Sequence, residues 1–139
     1  MREITKQMIK DYRIKELGYD FMGYYKQPKE IYNFHHLIVP YRNCSSRGLG
    51  EGYVRWNGAI LCAESSHPYL HLIEQFDLES YLKITSEMIE MNLRGKLMIQ
   101  NLKAIREILL EFERKYDNLY SRGGKVLIKK NYITNRVDL

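Results

Sequence analysis

The segment between residues 33 and 71 decides the fold, and it contains NFHHLIV (33–39), YVRWNGAILC (53–62) and SSHPYLH (65–71). The first run has β-branched members and stops at Pro40, which is typical of a short strand. In the second run, YVRW and AILC flank Asn57-Gly58, a dipeptide that favours a tight turn between two strands. Pro68 suits the first turn of a helix, because its missing N–H would have no partner there. The sequence therefore predicts a strand, a hairpin and a helix in that order.

Helices are predicted on both sides of this segment. Apolar residues at helical spacing over residues 5–17 predict the first helix, and Gly18 follows at a C-cap position. Asp77 is a typical N-cap for a second helix that ends near Gly95. The residues expected on the buried face of this second helix are Leu78, Leu82, Ile89 and Leu93.

The last predicted helix, 98–116, has the clearest pattern. Its apolar residues form a heptad stripe of Met98, Leu102, Ile105, Leu109, Phe112 and Tyr116. Such a stripe packs against another helix, either inside the chain or in a homodimer. The basic segment 121–139 follows, opens with Gly123-Gly124, and is expected as an edge strand or a frayed arm.

Composition favours one domain over residues 1–139, with a net charge of +5 from 22 Lys+Arg and 17 Asp+Glu. The predicted parts are an N-terminal helix and loop (1–30), the strand–hairpin–helix motif (33–75), a helical pair (77–118) and the basic tail (121–139). No apolar run approaches the roughly 18 residues of a membrane span, and no secretory signal is visible, so we expect a cytoplasmic protein without a membrane partner. Cys44 and Cys62 are expected to be free thiols.

All four histidines of the chain lie between residues 35 and 71. His67 and His71 are one helical turn apart, so their side chains share a face and are close enough to bind one metal ion. His35 and His36 are adjacent on a strand and point to opposite faces, so only one of them is expected at the metal. Three imidazoles around a divalent cation would leave the fourth histidine free to act as a base on water.

These residues resemble the HNH endonucleases, which have the ββα-metal fold. The segments that carry the resemblance are FHHLIVP (34–40), WNGAILC (56–62) and SSHPYLH (65–71). Their order, their predicted strand–hairpin–helix context and the i, i+4 histidine pair of the third segment, which is found in the bacteriocin-like members, all agree with that family. The resemblance implies an α+β fold in which a ββα-metal hairpin and helix pack with additional helices, so that the chain is mostly helical.

The same resemblance implies a role for each site residue. His36 would be the general base that takes a proton from the attacking water, while His35, His67 and His71 would bind the metal. Asn57 would hold the strand that carries His36 through side-chain to backbone hydrogen bonds, or serve as the turn residue of Asn-Gly. The cofactor would be one divalent ion, Zn²⁺, Ni²⁺, Mn²⁺ or Mg²⁺, although an all-histidine set suits Mg²⁺ least.

The function expected from these features is metal-dependent hydrolysis of DNA phosphodiesters. Three arginines close to the motif in the sequence are candidates for binding phosphates: Arg42, Arg47 and Arg55. The reason is that a guanidinium group can form two parallel hydrogen bonds to a phosphate. Two alternatives stay open. One is a non-catalytic nucleic-acid-binding or protein-binding regulator that uses the metal-bound fold as a scaffold. The other is a structural metal site that Cys62 or Glu64 closes.

Overall fold

Two antiparallel strands form the sheet of this computed structural model, which describes residues 1–120 and 127–139. β1 (Tyr32–His36) pairs with β2 (Gly58–Cys62) so that Phe34 lies opposite Ile60 and His36 opposite Gly58. The described helices are α1 (Glu3–Asp11), α2 (Ile14–Leu17), α3 (Tyr41–Cys44), α4 (Ser66–Phe76), α5 (Leu78–Arg94), α6 (Ile99–Lys115) and α7 (Lys130–Thr134), with 3-10 turns at Ser45–Arg47, Arg55–Asn57 and Asp117–Tyr120. The predicted α+β class with mostly helical content is confirmed.

The predicted hairpin turn at Asn57-Gly58 is wrong. The two paired strands are β1 and β2, the chain between them runs through residues 37–57, and Tyr53–Trp56 forms no strand. Gly58 has an extended backbone with φ −125°. A Cβ on this glycine would lie 2.2 Å from the Phe34 ring, so glycine stands here because an aromatic ring covers the backbone. An Asn-Gly pair can therefore mark a glycine that is required by close packing as well as a glycine that is required by a tight turn.

The N-terminal helix is shorter than the predicted 5–17. It breaks between α1 and α2 at Arg13, which adopts a left-handed conformation with φ 55°. Gly18 caps α2 in the left-handed region, as predicted. The break turns the chain so that Met8 and Ile14 are both fully buried.

α5 begins after the Asp77 cap, whose side chain accepts a hydrogen bond from the Ser80 N–H, and it ends at Gly95. Its predicted buried face is wrong at Leu78, Leu82 and Leu93, which are all more than half exposed, while the fourth predicted residue, Ile89, packs against the core. The residues of α5 that face the core are Tyr81, Ile84, Thr85, Met88 and Met91. The helix carries two apolar stripes, and the inner one includes a threonine whose hydroxyl donates to backbone carbonyls of its own helix.

The heptad stripe of α6 packs inside the chain, which is the intramolecular alternative. Leu102, Ile105, Leu109 and Phe112 are fully buried, and α5 is the main neighbour of α6. Residues 121–126 of the predicted tail lie outside the described residues. Residues 127–139 do not form a frayed arm, because Ile128 and Tyr132 join the core. Within residues 1–120 and 127–139, the helices are all too short or too polar to cross a membrane.

Candidate metal centre

Three of the four histidines meet at one point between β1 and α4. His35, which is 3% exposed, comes from β1, and His67 and His71 come from the first two turns of α4. One ligand nitrogen of each ring lies within 4.8 Å of those of the other two rings. The Nε2 atoms of His67 and His71 are 3.2 Å apart. The structure therefore brings together the three imidazoles predicted as metal ligands.

The geometry and protonation of this triad fit a divalent cation. Two nitrogen ligands of a tetrahedral zinc ion lie about 3.3 Å apart, close to the observed separation of the His67 and His71 nitrogens. Burial and the neighbouring His71 and His36 rings lower the pKa of His67 to about 4. Burial and the His67 and His71 rings hold the pKa of His35 well below its usual range. Both rings are neutral at pH 7, so each has a lone pair to offer a metal.

Each ring of the triad also has a partner that orients it. The His35 Nε2 lies 3.1 Å from the Tyr81 hydroxyl, and the His67 Nδ1 lies 3.0 Å from the Asn33 side-chain nitrogen. The His71 Nδ1 lies 3.3 Å from the Glu74 carboxylate. A hydroxyl can donate or accept, whereas the Asn33 amide accepts from His67 Nδ1 only when its oxygen, rather than its nitrogen, faces the ring. Such outer partners fix the rotamer of a ligating histidine. Tyr81 was missed because no sequence signal pairs it with His35, whereas the i, i+3 spacing of His71 and Glu74 on α4 could have identified Glu74.

Two buried carboxylates hold the chain where it enters α4. The Asp20 side chain accepts hydrogen bonds from the backbone N–H of Met22, Tyr24 and Cys62 and from the Ser66 hydroxyl. Glu30 accepts from the Glu64 N–H and from the Ser65 hydroxyl. The loop of residues 19–30 therefore fixes the start of the helix that carries His67 and His71. A buried acid in a loop has no periodic signal, so sequence reasoning did not find either residue.

His36 occupies the opposite side of β1 from His35. Its ring packs edge-on against Tyr53, Phe34 and Tyr41, with ring centroids 4.9, 5.2 and 5.6 Å away. Its Nε2 lies 2.8 Å from the carbonyl oxygen of Glu51. A carbonyl can only accept, so Nε2 carries a proton and Nδ1 is the ring nitrogen left to act as a base. The ring is thus held as the tautomer that has one free basic nitrogen.

Gly52 sets the position of the Glu51 carbonyl. Its backbone is left-handed with φ +75°, and a Cβ there would lie 2.2 Å from the Cys44 Sγ and 3.0 Å from the His36 Cδ2. Only glycine allows the loop to pass this close to the His36 ring. The loop GLGEG (48–52) therefore supports the fourth histidine.

Asn57 is fully buried and holds the chain on both sides of that loop. Its side-chain oxygen accepts from the Ile38 and Val39 N–H groups at 2.9 and 2.8 Å. Its side-chain nitrogen donates to the carbonyls of Val39 and Gly52 at 3.0 and 3.3 Å. The side chain therefore bonds to the segment just after β1 and to the loop that contacts His36, and it is not a hairpin turn residue.

All four histidines line one cleft of about 570 Å³. Of the three arginines predicted at phosphates, Arg42 lines this cleft, while Arg47 and Arg55 are not among its lining residues. Arg55 forms an ion pair with Asp11 of α1. The proposed closing ligands Cys62 and Glu64 are not part of the histidine group found among the described residues.

Cys62 points away from the cleft. Its thiol lies 3.7 Å from the Tyr24 carbonyl oxygen, and Cys44 is also buried and free. Free thiols are what the sequence predicted.

Comparisons with protein-family models, curated proteins and solved structures find no match to this chain, so its function is argued from the site itself.

Proposed function

We propose that this protein is a metal-dependent endonuclease of the HNH type that hydrolyses DNA phosphodiester bonds with one metal ion and a histidine general base. The observation that carries the proposal is the placement of four histidines in one cleft. Three imidazoles converge on one side of β1, and the fourth, on the other side, is held as a tautomer with a free nitrogen. A purely structural metal site would require the three histidines of the group but not His36.

The chain's own residues supply the proton transfer. His36 Nδ1 takes a proton from a water molecule, whose oxygen then forms the new bond to phosphorus. The bond from phosphorus to the leaving 3′ oxygen breaks, and that oxygen takes a proton from solvent. Proton transfer by a positioned side chain contributes about 10²–10⁴-fold to a rate.

A divalent ion held by His35, His67 and His71 would neutralise charge on the scissile phosphate and on the leaving oxygen. Arg42 lies on the wall of the same cleft, where its guanidinium can pair with a phosphate oxygen. The Asn57 side chain and the Glu51 carbonyl keep His36 in place, so they are positioning groups that touch neither substrate nor metal.

Cleavage of a supercoiled plasmid and of a single-stranded circular DNA by the purified chain tests this proposal. The protein is stripped of metal and resupplied separately with Zn²⁺, Ni²⁺, Mn²⁺ or Mg²⁺. His36→Ala should abolish nicking while the bound metal per chain stays unchanged. His71→Ala should lower the bound metal and the nicking together, which makes the two variants controls for each other.

The alternative is a binding module that keeps the metal for stability alone. It is favoured by the absence of a second cation beside Arg42 on the described walls of the cleft. This alternative predicts stoichiometric metal, no nicking with any ion, and a His36→Ala variant that behaves like the unmodified chain. Nicking that persists in His36→Ala would overturn the assignment of the base.

A further inference from the structure

The cleft continues into two further depressions along β1. The first, of about 440 Å³, shares Phe34, Tyr53 and His67 with the cleft. The second, of about 210 Å³, shares Met1, Ile31 and Tyr32 with the first. The three depressions are therefore neighbours along β1, and we refer to them together as the groove, with the histidine centre in the largest of them.

The two ends of this groove have different chemistry. The far end is basic, with Lys6, Lys15 and Lys26 around the smallest depression. Lys6 pairs with Glu3, but Lys15 and Lys26 have no carboxylate partner within residues 1–120 and 127–139. Glu30, the acid of this depression, already accepts hydrogen bonds from the loop before α4. Lys26 donates to the Gln27 carbonyl oxygen, so Lys15 and Lys26 are two cations of this depression that form no ion pair among the described residues.

The near end of the groove is apolar. Ile38, Tyr41, Leu78 and Leu82 line the cleft beside the histidines, and each is more than half exposed. Leu78 and Leu82 belong to the outer stripe of α5, which the core does not use. An exposed aromatic ring and aliphatic side chains next to a charged site are suited to the flat faces of unstacked bases.

We infer that this groove is a track for single-stranded DNA, with phosphates at the lysine end, a phosphate at the histidine centre and unstacked bases on the apolar end. Duplex DNA has its bases stacked inside and is gripped mainly through cations along both backbones. The cleft offers one arginine and a large apolar wall, which complement a single strand better. The inference rests on the proposed nuclease function and names the substrate form that this site takes.

Binding in the absence of metal tests the track separately from catalysis. Fluorescence anisotropy in EDTA compares labelled oligothymidylate with a mixed-sequence duplex of equal length. Since each base that stacks on the apolar end adds to the affinity, we expect the single strand to bind about tenfold more tightly or better.

Charge and apolar variants locate the binding surface. Lys15→Glu with Lys26→Glu should weaken single-strand binding and flatten its salt dependence by about 0.7 per lost phosphate contact. The control pair, Lys96→Glu with Lys103→Glu, has the same charge change at exposed positions that line none of the three depressions. Leu82→Ser should also weaken binding, whereas Leu93→Ser, on the same helix and outside the groove, should not.

Equal or tighter binding of the duplex would overturn the inference. Equal losses in the lysine pair and in its control would overturn it as well. If the single strand binds along the track but is not cleaved with any metal, the nuclease proposal fails and the track stands as a binding surface. If the plasmid is nicked and the track variants bind normally, the nuclease stands and the track fails.

Discussion

Replacing Asn57 by alanine should destabilise the chain by about 4 kcal/mol. The side chain makes four hydrogen bonds to backbone groups of residues 38, 39 and 52, and it is fully buried. A typical hydrogen bond contributes about 1 kcal/mol net, and a buried partner left unsatisfied costs about 1–3 kcal/mol. The loss is a large fraction of the 5–15 kcal/mol that stabilises a typical domain.

Urea unfolding in the presence of EDTA measures this effect. With a slope of about 2 kcal/mol per molar urea, the midpoint of Asn57→Ala should fall by about 2 M. Asn43→Ala is the matched control, because Asn43 is exposed on the neighbouring α3 and its replacement should change stability by no more than about 0.5 kcal/mol. Equal midpoints for the two variants would refute the reasoning about the four bonds.

A second measurement separates this residue from the metal ligands. The bonds of Asn57 hold the segments next to His36 and do not reach His67 or His71. Below the new unfolding midpoint, Asn57→Ala should therefore keep its bound metal and lose nicking. Loss of metal by the folded variant would show that Asn57 supports the triad instead of the base.

Three further predictions concern other parts of the chain. In metal-free protein, lowering the pH from 6.5 to 4 should reduce the free energy of unfolding by on the order of 3 kcal/mol. The reason is that unfolded His67 takes up a proton over this range, whereas folded His67, with a pKa of about 4, stays neutral through most of it. Unfolding curves of the unmodified chain and of His67→Asn measure this effect, and an equal loss in both would contradict it. Arg136→Ala should lower the free energy of unfolding by about 3–5 kcal/mol, because it leaves the buried Glu113 carboxylate without its bidentate partner at 2.6 and 3.0 Å. Calorimetry measures this change, and an unchanged Tm would contradict it. Gly52→Ala should reduce nicking tenfold or more, which corresponds to about 1.4 kcal/mol, with bound metal unchanged, whereas Gly50→Ala has the same left-handed backbone with open space around it and should retain activity.

Periodicity and local spacing predicted the coarse fold and the proximity of His67 and His71. The Asp77 cap and the left-handed Gly95 are local signals, and both are confirmed. His67 and His71 come together because they are one helical turn apart, which needs no tertiary information. That His35 joins them, and not His36, was implied by the family resemblance, and the structure brings the three rings together.

The errors have a common physical cause: tertiary packing decides between local options that are equally good. α5 has two apolar stripes, and the prediction chose the stripe with Leu78 and Leu82 as the buried one because leucine is the more hydrophobic residue. The core instead takes the stripe with Thr85, whose hydroxyl is satisfied within the helix. Asp20 could not be predicted because no local pattern marks it: its hydrogen-bond partners come from three separate segments of the chain.

The misassigned Asn57-Gly58 pair bears most directly on the proposed chemistry. Adjacent strand residues point to opposite faces, so a slip of β1 against β2 by one residue would exchange the environments of His35 and His36. Gly58 resists that slip because it lies under the Phe34 ring, where any Cβ would clash. Asn57 resists it by bonding to the two residues that follow Leu37. The separation of His35, which faces the histidine triad, from His36, which faces the Glu51 carbonyl, therefore depends on a register that these two residues set.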